Sequence, residues 1–88
     1  MITVTERAME ELKAILVAIG ASPDEGLRLL PTDAGEFVLG IDTEMSADQV
    51  VKYEGYKVLL VGIEYFQTLN GKTVDCKDTG EGTVIFVR

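Results

Sequence analysis

At 88 residues the chain makes one domain, residues 1–88. Its 47% apolar content supplies a packed interior and excludes a disordered chain. Fifteen acidic residues against eight basic ones leave a net charge of −7, which repels phosphate backbones and excludes nucleic acid as the expected partner.

Residues 2–4 read as a short strand. Thr5 follows as a helix N-cap, and Glu6 suits the positive end of the helix dipole. Ala8, Leu12, Ile15, Leu16 and Ile19 recur at three- and four-residue spacing and predict one buried helix face. Gly20 stops that helix, since glycine enters the left-handed region cheaply. Ser22-Pro23-Asp24-Glu25 has the pattern of a capping box and predicts one helical turn at most. Residues 27–30 read as a strand, and residues 31–35 as a tight turn. Residues 36–42 alternate, with Phe37, Leu39 and Ile41 on one face. Glu54-Gly55 is a hairpin signal between strands at 50–53 and 56–61. Residues 63–69 predict a short helix with Ile63, Phe66 and Leu69 inward, ended by Asn70-Gly71. Strands at 73–77 and 83–87 flank the turn Gly80-Glu81-Gly82. The fold class is therefore mixed α+β, with one long N-terminal helix, one short helix and about seven short strands.

The order and spacing of these segments resemble the A-type iron–sulfur carrier domain (HesB/IscA-like). The residues that carry the resemblance are the opening Ile2-Thr3-Val4-Thr5-Glu6-Arg7-Ala8, the strand Gly26-Leu27-Arg28-Leu29 and the hairpin from Val50 to Val61. Leu69-Asn70-Gly71 with Val74-Asp75, and Gly82 before an apolar strand to Phe86, extend it over nearly the whole chain. The resemblance implies a HesB-like fold with a sandwich-like core, and a homodimer by analogy. In the family, the first cluster cysteine lies in a glycine-rich loop after the Leu-Arg-Leu strand. Here that loop is Pro31-Thr32-Asp33-Ala34-Gly35, about four residues shorter by loop-length reasoning, and has no cysteine. The other two family cysteines form a Cys-Gly-Cys tail after the last strand, and the sequence reaches Arg88 without one. Cys76 matches no cluster position.

One thiolate does not make a conventional cluster site, which takes several and commonly four. Cys76 is the low-ranked candidate for cofactor binding. It reads better as a small buried hydrophobe on a strand, with Lys77 on the opposite face. No disulfide closes within the chain. The absence of His removes the commonest metal ligand and neutral-pH acid–base group. Asp42, Glu44 and Asp48 read as a solvated acidic stretch, and Asp75, Asp78 and Glu81 as strand-end and turn residues. The Gly80-Glu81-Gly82 turn lacks the spacing of a phosphate loop. Tyr56 and Phe66 are expected inside, and Tyr53 and Tyr65 at the rim. With Asp33, Gly35 and Glu36 at the shortened loop, these two tyrosines are the candidate interaction surface.

The expectation is a non-enzymatic relative of the carrier family, acting through a protein partner as an interaction or regulatory module. No resident cofactor is expected, and a cluster is disfavoured. The alternative keeps a role in cluster assembly or iron binding through a site completed by a second subunit or a partner. A pocket enzyme acting near residues 31–36 ranks third. No leader pattern opens the chain, and the longest apolar stretch, residues 58–61, is too short to span a bilayer, so no membrane partner and a cytoplasmic setting are expected.

Overall fold

The main helix begins where Thr5 can cap it. In the computed structural model, which describes residues 1–34 and 36–88, the Thr5 hydroxyl accepts from the Ala8 amide at 3.2 Å. This opens α1 (Glu6–Ala18) directly after β1 (Thr3–Val4). Ala8, Leu12 and Leu16 form its buried stripe, with Ile15 half-buried beside them. Ile19 departs from the expected face: it is 53% exposed, because the helix ends one residue earlier. Gly20, at φ +67°, then turns the chain away. The capping-box pattern yields no helix. The Glu25 carboxylate accepts from the Ser22 amide at 2.7 Å and closes a turn that leads straight into β2 (Glu25–Pro31).

Two sheets follow. One has the order β3-β2-β5-β4, with β3 (Phe37–Thr43), β4 (Gln49–Tyr53) and β5 (Tyr56–Val61). The other has the order β1-β6-β7, with β6 (Thr73–Thr79) and β7 (Gly82–Val87). A 3-10 turn, Ile63–Tyr65, runs into α2 (Phe66–Leu69) between β5 and β6. β1 joins β6 in parallel and β6 pairs β7 antiparallel. Glu54 and Gly55 at φ 50° and 85° make the tight β4–β5 hairpin that their sequence predicts.

The core is shared by all three layers. Ala8, Leu12 and Leu16 of the helix meet Leu27, Leu29, Leu59 and Val61 of the larger sheet and Val74 of the smaller one. In β5, Val58 is an extra residue: Val51 and Lys52 oppose Leu59 and Lys57, while Gly26 and Arg28 oppose Lys57 and Leu60. This bulge breaks the two-residue alternation, so Val58 and Leu59 both enter the core.

Three apolar side chains expected inside lie outside. Ile63 is 60% exposed, because the 3-10 turn changes phase into α2 and the three-residue spacing does not keep one face. Ile41 is 45% exposed, since β3 is an edge strand with no partner beyond it among the described residues. Tyr56 is exposed beside the hairpin turn, where the Lys13 ammonium stands 5.4 Å from its ring centre. No described helix is long and apolar enough to cross a membrane.

Candidate functional site

Cys76 lies in β6 opposite Ile85 and is 8% exposed. Its free thiol is pushed up from the usual range by burial, which outweighs the opposing pull of Arg7. Lys77 is exposed, with its ammonium 5.4 Å from the Phe86 ring, and does not activate the thiol. Asp75 turns toward the chain's own donors. Its carboxylate accepts from the Cys76 amide at 2.8 Å, the Thr5 hydroxyl at 3.0 Å and Arg88 at 3.1 Å. These bonds, the Cys76 amide first, hold it below the usual carboxylate range. Asp78 is likewise engaged by Arg7 and by the Thr83 hydroxyl. Among the described residues no three His, Cys, Asp or Glu side chains gather as a metal-binding group.

The acidic stretch before β4 is not simply solvated, which corrects the sequence reading. Arg28, 6% exposed in β2, donates from Nε to Asp42 at 2.6 Å. It also donates to Asp48 at 2.7 and 3.1 Å, and to the Thr43 carbonyl at 3.1 Å. The Asp48 side chain is only 3% exposed and also accepts from the Met45 amide. Arg28 holds Asp48 below the usual carboxylate range, while Asp42 is lowered first by the Thr43 amide and then by Arg28. Arg28 and the Thr43 and Met45 amides engage both carboxylates, so the cluster pins the β3–β4 loop. The signal was present in the sequence: one Arg inside the apolar run of β2, with two carboxylates on the next segment.

The candidate interaction residues fall in separate places. Asp33 and Glu36 are exposed at the β2–β3 turn, and Gly35 lies outside the described residues. Tyr53 is half-buried, and its hydroxyl donates to Glu10 at 3.4 Å. It lines a hollow of about 550 Å³ with Glu10, Lys13, Val17 and Glu54. Tyr65 is half-buried against the core. Glu36 instead lines a groove of about 650 Å³ between β3 and β7, floored by Ile15 and Leu29. This groove was not singled out by the sequence, because the two strands that flank it are far apart in the chain. A third hollow, of about 490 Å³, lies between Met1, Gln49, Phe66 and Asn70.

The arrangement of α1 and the two sheets matches solved structures over nearly all of this chain. Escherichia coli SufA, described as involved in biosynthesis of iron–sulfur clusters, superposes with a TM-score of 0.78 at 21% identity. The match covers 99% of this chain and 83% of that one. The chain has the fold of SufA. IscA, solved with a [2Fe-2S] cluster, shares it at a TM-score of 0.68 and 17% identity, over 100% of this chain and 84% of that one. A protein from Aquifex aeolicus solved by NMR does so at 0.68 and 24% identity, over 99% and 89%. No family model and no curated protein matches the sequence. The SufA fold is the one the carrier resemblance implies. On this SufA-like scaffold the loop between β2 and β3 carries no cysteine, and the one thiol of residues 1–88 lies buried in the small sheet.

Proposed function

We propose that the protein uses the carrier scaffold as a non-enzymatic interaction or regulatory module and does not hold an iron–sulfur cluster by itself. One observation carries this reading: the fold matches SufA over 99% of the chain, yet its lone thiol is buried with its pKa raised. The residues present do not fit a cluster within one chain, because a single thiol with engaged carboxylates around it falls short of the usual donor set. A protein partner is the expected ligand, homodimerisation remains an analogy with the family, and the one free thiol supports a cytoplasmic setting.

Anaerobic reconstitution with ferrous iron and sulfide tests the reading. The expected product is colourless and iron-free by metal analysis. A visible chromophore that disappears in Cys76→Ser would overturn it and establish the alternative of an intersubunit site. Affinity capture from native lysate is then expected to return a reproducible partner.

A further inference from the structure

The groove between β3 and β7 is bounded by two strand edges that have no strand partner among the described residues. β3 is the outer strand of the large sheet and β7 that of the small one. The ladder bonds show which backbone groups are free. Thr73 and Arg88 exchange both amide–carbonyl bonds, so in this antiparallel pair the bonded positions of β7 are Phe86 and Val84. The amides and carbonyls of Thr83, Ile85 and Val87 therefore point away from β6, toward the groove these residues line. On the far wall, the Thr32 amide donates to the Glu36 carbonyl. Counting along the ladder from there turns the backbone groups of Phe37 and Leu39 outward as well.

The groove thus offers a row of unused hydrogen-bonding groups beside an apolar floor of Ile15 and Leu29. Among the described residues its only charged lining residue is Glu36. The nearby cations are engaged, Arg88 by Asp75 and Lys77 by the Phe86 ring. We propose that an extended segment of another protein docks here as an added strand on the free edge of β7. This segment is apolar at alternate positions and carries a basic residue beside Glu36. The β7 edge is favoured over β3 because three of its outward-facing residues line the groove against two. Charge selects the partner: a second copy brings another −7, whereas a basic segment is attracted. Strand addition supplies affinity through the main chain, and the floor selects alternate side chains.

This inference rests on the interaction reading and names the chemistry of its partner. The probe is the synthetic peptide Lys-Val-Thr-Val-Thr-Val-Lys, titrated to 1 mM, on the order of a weak single-strand contact, into isotope-labelled protein followed by NMR. The expected result is shifted and exchange-protected amides at Thr83, Ile85 and Val87. Binding should weaken at least about tenfold, or 1.4 kcal/mol, when every inner residue of the peptide is N-methylated. It should also weaken in Thr83→Pro relative to Thr83→Val, since both lose the hydroxyl bond to Asp78 but only the proline removes the outward amide, and when Glu replaces both terminal lysines. Equal binding of the N-methylated peptide overturns the proposal even if Thr83→Pro fails to fold, and so does the absence of any shift. A concentration-dependent dimer by sedimentation that dissolves in Thr83→Pro overturns the basic partner in favour of a second copy. A captured partner that leaves the β7 amides unmoved overturns the groove while the interaction reading stands.

Discussion

Arg28 shows how a buried charge is tolerated in a small domain. Its guanidinium donates four hydrogen bonds, three of them to carboxylates, so the desolvation cost is offset by charge-assisted partners. Removing Asp48 leaves the buried cation with a single carboxylate partner, the more exposed Asp42. Asp48→Asn is expected to lower stability by about 3 kcal/mol at pH 7, since breaking a buried pair costs on that order. The pH dependence has a definite sign. Asp48 titrates below its unfolded value of about 3.9, so its contribution is complete above that value. It is lost as pH falls through the depressed folded value. Urea midpoints of wild type and Asp48→Asn should therefore differ most near neutrality and converge in acid. A gap that stayed constant to pH 2.5, well under the ordinary carboxylate range, would assign the loss to packing instead.

At the scale of elements, the contact between β2 and β5 is the tightest constraint. A Cβ placed on Gly26 would lie 2.4 Å from the Lys57 carbonyl oxygen, a backbone atom with little freedom to move. Gly26→Ala is expected to cost about 1–3 kcal/mol through overpacking, lowering the thermal midpoint by roughly 5–15 °C in a domain of this size. Gly62→Ala is the control, because the three atoms nearest its added Cβ all belong to the carboxylate end of the exposed Glu64 side chain, which can turn aside. Local signals made most elements legible. Thr5, Gly20 and Glu54-Gly55 each mark a boundary through their own backbone preference. The Val58 bulge was not legible, because alternation assumes one residue per step. The groove and the Arg28 cluster were hidden for a related reason: each joins segments whose approach depends on sheet order. A lone cysteine without neighbouring ligands reads as a small buried hydrophobe, and Cys76 is buried.

For the whole molecule, Cys76 provides a reporter of global opening. The thiol belongs to the central strand of the small sheet, and exposing it requires β6 to separate from β1, β7 or α1. Labelling by a neutral disulfide reagent should be at least about 10³-fold slower in the native protein than in urea, as expected for a domain that opens only with its global stability. A native rate within about tenfold of the unfolded one would mean that the small sheet opens alone. Such independence is not expected, since one continuous core ties Val74 to α1 and the large sheet. That sheet also contains its own safeguard against slippage. Val58 is uncounted by β4, and β2 skips one residue in the same stretch between Lys57 and Leu60, so the bulge works like a key cut to fit two locks. A one-step slide of β5 would put the key out of both wards at once. The interior of the sheet is therefore indexed to a single alignment, while the free strands at its rim stay open to whatever pairs with them.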